Sequence, residues 1–163
     1  MGGVDAAHKR AILAAIAFGM PLSFKSVAIE GITGVQSQDI ALARELGYRI
    51  KHLGIAKHTD KGVELRTQAT LIPEDRLLAK VDGVLNSILI RGNATGQVGF
   101  YGKGAGGEPT ASAVVADLVD VARLLGANAQ HQVPALAFQP ASVRELPVTP
   151  LAEIMSSYYL RLR

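Results

Sequence analysis

Two residues of types that can carry charge and protons, Asp5 and Lys9, lie four positions apart near the start of the chain. Side chains with this spacing meet on one helix face, which here continues into Ile12, Leu13 and Ile16, so we expect the pair to point partly inward. An ordinary ion pair also fits the spacing and would contribute about 0.3–0.5 kcal/mol if exposed. The spacing by itself favours this structural interpretation.

A second candidate is the glycine-rich segment Gly102 to Thr110, with the sequence GKGAGGEPT. Its glycines allow backbone N–H groups to approach an anion or a flat ring closely, and the start of a helix adds partial positive charge. The segment matches G-x-G-x-x-G, but no acidic residue ends a second strand about 20 positions later, as a dinucleotide site requires. We interpret it as one wall of a site; a tight strand-to-helix turn explains it equally well.

Other chemistry has little support in the sequence. The four histidines show no metal-ligand spacing, and the absence of cysteine excludes thiolate ligands and nucleophiles; the histidines are His8, His52, His58 and His131. No G-x-S-x-G motif is present, so a hydrolase is not indicated. Thr33, Ser37 and Asp39 fit helix capping better than binding.

Composition indicates one soluble globular domain. The chain has 163 residues, 48% of them apolar, with 17 basic and 14 acidic side chains and a net charge of +3. The basic residues are scattered, so nucleic-acid binding is not indicated. The longest apolar stretch, Ala11 to Leu22, is shorter than the roughly 18 residues a membrane span needs. We therefore expect a cytoplasmic protein with neither nucleic acid nor membrane as a partner.

Hydrophobic periodicity predicts the elements that must position these residues. We expect helices, two strand pairs and a turn or short helix over Phe24 to Gly31. The predicted helices are Asp5 to Phe18, Ser37 or Gln38 to Leu46, and Pro109 to Leu125; the strand pairs are Tyr48 to Lys57 with Val63 to Ile72, and Val84 to Arg91 with Gln97 to Tyr101. The long third helix should cover one face of a single sheet.

The last third of the chain lacks a clean period. Pro134, Pro140, Pro147 and Pro150 indicate an extended, linker-like segment. Ser157 to Arg163 has the pattern of a strand that begins and is not continued.

Several motifs in this order resemble homoserine dehydrogenase. Gly3 to Lys9 (GVDAAHK) is similar to the close of that family's signature, G-x-D-x-x-x-K, and Phe100 to Ala113 (FYGKGAGGEPTASA) is similar to its glycine loop. Three shorter words between them also match, namely Glu30-Gly31-Ile32, Asp39-Ile40 and Glu45-Leu46-Gly47-Tyr48. The similarity extends over nearly the whole chain.

The resemblance implies an α+β fold, with a mixed, largely antiparallel sheet and helices on one face, like the C-terminal domains of the glyceraldehyde-3-phosphate dehydrogenase type. It divides the chain into a catalytic domain (1–126), an extended proline-containing linker (127–156) and the truncated start of an ACT-like domain (157–163). We expect the sheet to form a homodimer, and the chain to be part of a longer enzyme whose N-terminal Rossmann domain and remaining ACT domain lie outside it.

The resemblance also implies an activity, the NAD(P)-dependent interconversion of homoserine and aspartate 4-semialdehyde in threonine and methionine biosynthesis. Lys9 would stabilise the developing alkoxide, Asp5 would hold the substrate and Lys9, and Gly104, Gly106 and Thr110 would close on the nicotinamide or the substrate carboxylate. We expect no metal. By itself the chain should bind no NAD(P) and be inactive.

Two other classes remain open on the residues alone. A non-catalytic dimerisation or regulatory module would keep the sheet and use Asp5 and Lys9 as a surface pair. A stand-alone anion-binding domain would rely on the segment from Gly102 to Thr110.

Overall fold

A computed structural model of the protein describes residues 2–127 and 133–162. Within these ranges the chain forms three α-helices and five strands, with one 3-10 turn among them and three more after the last helix. In chain order they are α1 (Val4–Phe18), β1 (Ala28–Ile29), α2 (Ser37–Glu45), β2 (Tyr48–Thr59), β3 (Gly62–Pro73), β4 (Leu85–Gly92), β5 (Gly96–Lys103) and α3 (Gly107–Gly126). The three predicted helices and both predicted strand pairs are confirmed. Over Phe24 to Gly31, where a turn or short helix was expected, a turn at residues 25–26 is present and is followed by β1.

The strands form two small sheets. In the first, β3 lies between β1 and β2, and β1 runs parallel to β3 with Ala28 opposite Arg66. In the second, β4 and β5 are antiparallel from Leu85 opposite Lys103 to Gly92 opposite Gly96. The expected single sheet is therefore wrong for the described residues. Each hairpin pairs its strands internally, and the link between them forms a 3-10 helix, Leu77–Lys80, rather than a connecting strand.

The chain divides into two compact units. The first comprises residues 1–39, 52–70 and 134–163, and the second comprises residues 40–51 and 71–133. The first carries α1, and the second carries the β4–β5 ribbon and α3.

The core of the first unit forms around the alanines of α1. Ala7, Ala11 and Ala14 recur at helical spacing and are buried against Val63 and Leu65 of β3. Small side chains let a helix approach a sheet closely, so the alanines occupy the buried face. The larger Ile12 and Ile16 are 44% and 41% exposed. The expectation that the face with Ile12 and Ile16 points inward is wrong.

The C-terminal segment is part of the first unit and packs along β3 within it. Val148 pairs with Val63 at the edge of β3, Leu146 and Val148 pack against the core, and Ile154 is buried. Residues 157–162 do not form the expected strand. A strand needs a ladder partner, and here Tyr159 and Arg161 bond to side chains of α2 or just before it instead.

The second unit exposes apolar residues on helix and ribbon. None of the residues of α3 is buried, so the expectation that this helix covers a sheet face is wrong for the described residues. Phe100 and Tyr101, which point to opposite faces of β5, are 60% and 72% exposed. No described helix is both long and apolar enough to cross a membrane.

Candidate functional site

The Asp5–Lys9 pair forms on the outer face of α1. Lys9 Nζ donates to Asp5 Oδ2 at 2.8 Å, and the side chains are 67% and 83% exposed. Ile12 and Ile16 extend the same exposed face. The expectation that the pair points partly inward is wrong, because the alanines occupy the inner face. The pair is instead open to a bound molecule.

The first turn of α1 is set tightly against the sheet. At Gly3 a side chain would lie 3.1 Å from Ile29 Cγ2 and 3.3 Å from both His52 Cε1 and Thr67 Oγ1. The carbonyl of Gly3 accepts the first helical hydrogen bond, from Ala7 N–H at 3.0 Å, and none of the described side chains caps the helix. Asp5 therefore lies in a first turn whose free N–H groups favour negative charge.

Arg10 is a further residue of interest, which the sequence motifs do not reveal. It follows Lys9 but lies on the inner face of α1, three residues after Ala7 and four before Ala14. Its guanidinium packs on Gly54 of β2 so closely that a Cβ there would be 2.6 Å from Nη2. Burial lowers the pKa of Arg10, and its buried Nε has no hydrogen-bond partner within the described ranges. A cation interrupting an alanine face was the signal in the sequence.

Thr67 is the second such residue. It is 1% exposed on β3, and its Oγ1 is buried without a hydrogen-bond partner in the described part of the chain. The alternation of β3 places Thr67 on the same face as Val63 and Leu65, where an apolar side chain would be expected.

The glycine segment joins β5 to α3 in the second unit. Gly106 has φ +122°, a conformation that side chains other than glycine rarely adopt, and a Cβ at Gly104 would lie 2.6 Å from Asn86 Nδ2. Thr110 N–H donates to the Gly106 carbonyl at 3.2 Å. Among the described residues no side chain caps this helix start, which leaves its first backbone N–H groups for a ligand.

The described residues around this segment fit one wall of a nicotinamide site and no more. The uncapped helix start and the close-packed glycines suit a flat ring or an anion. The preceding strands are an antiparallel ribbon, not the parallel βαβ unit that binds a dinucleotide.

The structure brings Asp5 and Lys9 together in the first unit and places Gly104, Gly106 and Thr110 in the second. No cluster that could hold a metal ion occurs among residues 2–127 and 133–162. His8 contacts Phe24, His58 contacts Phe18, and His52 Nε2 lies 3.0 Å from the Glu30 carbonyl. His131 lies outside the described residues.

Comparison with known proteins gives a consistent family. A sequence model of homoserine dehydrogenase matches residues 1–119. The chain is 54% identical to a homoserine dehydrogenase from Neisseria gonorrhoeae and 53% identical to one from Pseudomonas aeruginosa, covering 99% of this chain and 37% of each relative.

Solved structures agree. A homoserine dehydrogenase from Thiobacillus denitrificans superposes with a TM-score of 0.88 at 54% identity, over 94% of this chain and 36% of that one. A homoserine dehydrogenase from S. aureus gives a TM-score of 0.68 at 40% identity, over 76% of this chain and 31% of that one. The chain thus spans about 37% of the length of the curated relatives it matches. By both sequence and structure, it belongs to the homoserine dehydrogenase family.

Proposed function

We propose that this chain is the catalytic part of a longer enzyme that interconverts homoserine and aspartate 4-semialdehyde, in the biosynthesis of threonine and methionine. The observation that carries the proposal is the Asp5–Lys9 pair, held at 2.8 Å on an open helix face within the matched residues. An exposed pair contributes little to stability, so its geometry is available for chemistry.

Lys9 is the catalytic residue of this proposal. Reduction of the aldehyde turns its carbonyl oxygen into an alkoxide, and an ammonium within hydrogen-bond reach stabilises that charge and delivers a proton. Asp5 would accept a hydrogen bond from Lys9 and keep the ammonium oriented when substrate arrives.

A nicotinamide cofactor, NAD(P), supplies or accepts the hydride when bound. Gly104, Gly106 and Thr110 would line one side of the nicotinamide or the substrate carboxylate, through the uncapped start of α3. The dinucleotide-binding halves would come from the remaining part of the enzyme. We therefore expect the 163-residue chain alone neither to bind NADPH nor to oxidise homoserine, which NADPH fluorescence titration and a turnover assay check.

The finer architecture belongs to the same proposal. We assign the fold to the type of the glyceraldehyde-3-phosphate dehydrogenase C-terminal domains, residues 1–126 to the catalytic domain, 127–156 to a linker and 157–163 to the start of an ACT-like domain. The exposed apolar residues of the β4–β5 ribbon support a homodimer through the sheet. The cytoplasm is the proposed location.

The test is turnover by the full-length enzyme. With aspartate 4-semialdehyde and NADPH, Lys9→Ala should lower kcat by about 10²–10³, as loss of one donor to an oxyanion typically does. Lys61→Ala, an exposed lysine in the β2–β3 turn, is the matched control and should retain turnover. Unchanged kcat in Lys9→Ala would refute the catalytic assignment, and a wild-type enzyme without this activity would refute the reaction.

A further inference from the structure

Residues 157–162 form an irregular segment that contacts the start of α2 through side chains. Ile154, 7% exposed, is the last buried residue before it. No backbone–backbone hydrogen bond within the described ranges involves residues 155–162. A segment without such bonds and without buried apolar side chains has little to offset its conformational entropy. Its side-chain contacts with α2 therefore decide its position.

The side chains of this segment alternate between two surroundings. Tyr158, Leu160 and Leu162 are 80%, 82% and 90% exposed, whereas Tyr159 and Arg161 are half-buried. This is the period of an extended chain, in which successive side chains point to opposite sides. The segment therefore contacts the first unit with its polar side, and its aliphatic residues add little to that contact.

Arg161 makes most of the contacts. Its Nη1 donates to Gln38 Oε1 at 3.0 Å and lies 3.2 Å from Asp39 Oδ1, and its Nη2 donates to Gln36 Oε1 at 2.6 Å. The side chains of Arg161 and Asp39 are 22% and 15% exposed, so solvent only partly screens their ion pair. A planar guanidinium suits this position, because its N–H groups point in fixed directions toward several acceptors.

Asp39 joins these contacts to the cap of α2. Its Oδ2 accepts the Gln36 N–H at 2.9 Å, which is the return bond of a capping box. Its Oδ1 faces Arg161 and accepts a longer bond from the Tyr159 hydroxyl at 3.4 Å. One carboxylate thus serves the start of the helix with one oxygen and the C-terminal segment with the other. All of these residues belong to the first unit.

We propose that residues 157–162 are a strap fastened to the start of α2 by Arg161, and that loss of the Arg161 contacts releases the strap while the rest of the first unit stays folded. The long bond of Tyr159 is the other contact with α2 that the described residues show. Local opening is expected where few apolar side chains are buried. With the domain division proposed above, the start of the ACT-like domain would be tied to α2 by polar side chains. The strap itself rests only on contacts within this chain.

Backbone ¹⁵N relaxation of the 163-residue chain measures the strap directly. In the wild-type chain the amides of residues 158–162 should have order parameters near the roughly 0.85 of a rigid backbone, and in Arg161→Gln they should fall below about 0.6. The amide signals of α1 and β3 should keep their positions, because no buried apolar side chain is removed. Asp39→Asn removes the charge from the other side of the ion pair and should also lower the order parameters of the strap.

Arg123→Gln is the matched control. Arg123 forms an exposed ion pair of the same length, 3.2 Å, with Asp120 in α3, and its loss should leave the strap rigid. Order parameters below about 0.6 at residues 158–162 of the wild-type chain would overturn the fastened state. Rigid values in Arg161→Gln would overturn the role of Arg161. Loss of the amide signals of α1 and β3 in that variant would show that the segment is an integral part of the fold and not a strap.

Discussion

Asp5 and Lys9 form their ion pair on a surface where water and salt screen it. Exposed helix pairs contribute only about 0.3–0.5 kcal/mol, so neither residue is needed for the fold of α1. The buried alanines on the opposite side hold the helix in place. Effects on turnover can therefore be separated from effects on stability at these positions.

Asp5→Asn in the full-length enzyme should lower kcat, but by less than Lys9→Ala. The amide keeps the shape of the side chain and loses the charge that orients the ammonium. Steady-state kinetics give the turnover, and the urea midpoint of the 163-residue chain should move by no more than a few tenths of a kcal/mol. Asp120→Asn, in the exposed pair with Arg123 at 3.2 Å, is the control. Wild-type kcat in Asp5→Asn would contradict the positioning role.

Thr67→Val should stabilise the chain. The hydroxyl of Thr67 is buried and unpaired in the described residues, and replacing it with a methyl group of similar size removes a desolvation cost of about 1 kcal/mol or more. Urea denaturation measures the gain. Thr59→Val is the matched control, because Thr59 Oγ1 donates to the Gly62 carbonyl at 2.9 Å, and it should lose stability. A destabilised Thr67→Val would mean that the hydroxyl has a partner.

Residue chemistry was only partly readable from the sequence. The spacing of Asp5 and Lys9 predicted their contact, which needs only local helix geometry. Arg10 and Thr67 were missed because their environment depends on β2 and β3, far away in the chain. The prediction that this pair points partly inward was also wrong, because hydrophobic periodicity favours isoleucine over alanine for the buried face.

At the scale of elements, local signals predicted most of the structure. Gly47, with φ +78°, follows α2 and suits the end of a helix, and Pro109 lies in the first turn of α3. Two-residue β1 was missed because it exists only through pairing with Arg66 and Thr67. Residues 157–162 have a strand pattern but pair with no strand. Tyr159 and Arg161 instead form side-chain hydrogen bonds at or just before the start of α2. Strands are defined by their partners, which periodicity does not reveal.

The β2–β3 turn is locked to the C-terminal segment at Gly62. Its φ is +133°, and a Cβ there would collide with the carbonyl oxygen of Pro147, which accepts the hydrogen bond from Val63 N–H at 2.8 Å. Gly62→Ala should therefore cost at least about 2 kcal/mol, through strain and loss of this contact. Gly34→Ala, at a position with open space, should change the urea midpoint little. Equal midpoints for the two variants would show that the segment is not locked here.

The start of β2 is tied to the residues after the 3-10 helix by Lys51. Its Nζ donates to the Val81 carbonyl and to Asp82 Oδ1, each at 2.6 Å. The pKa of Asp82 is lowered first by the hydrogen bond from Lys51, next by the charge of Lys51, and least by the charge of Arg49. Because folding lowers the pKa of Asp82, the ionised carboxylate stabilises the fold at pH values above its usual pKa. This contribution is lost as the pH falls through the lowered pKa.

The stability difference between the wild-type chain and Asp82→Asn should therefore shrink as pH falls below about 4. Urea midpoints measured between neutral pH and pH 3 give this difference directly. In a Lys51→Gln background the same comparison should be much flatter, because the main cause of the lowered pKa is gone. An unchanged pH dependence in that background would assign the effect to another carboxyl group.

On the scale of the whole molecule, the second unit carries apolar residues that its own fold leaves open. The prediction that α3 has an apolar face was correct, but the prediction that this face covers a sheet was wrong for the described residues. Its residues Val114, Val115, Leu118, Val121 and Leu125 are between 53% and 83% exposed. Sequence periodicity shows that a face will be covered and not what covers it. Since the chain spans 37% of its relatives, both the remaining enzyme and a second copy are candidates.

The isolated chain should form a homodimer through the β4–β5 ribbon. Ile88 and Phe100, directly opposite each other on the two strands, are 41% and 60% exposed, and apolar surface of this kind favours self-association. Sedimentation at micromolar concentration should give the mass of two chains. Phe100→Lys should shift it toward one, because a dimer would bury the added charge without a partner. Gln97→Lys places the same charge at an exposed polar position of β5 and should remain dimeric. A wild-type chain that sediments as a monomer at every concentration would contradict the ribbon interface, and a dimer insensitive to Phe100→Lys would place the contact elsewhere on the chain.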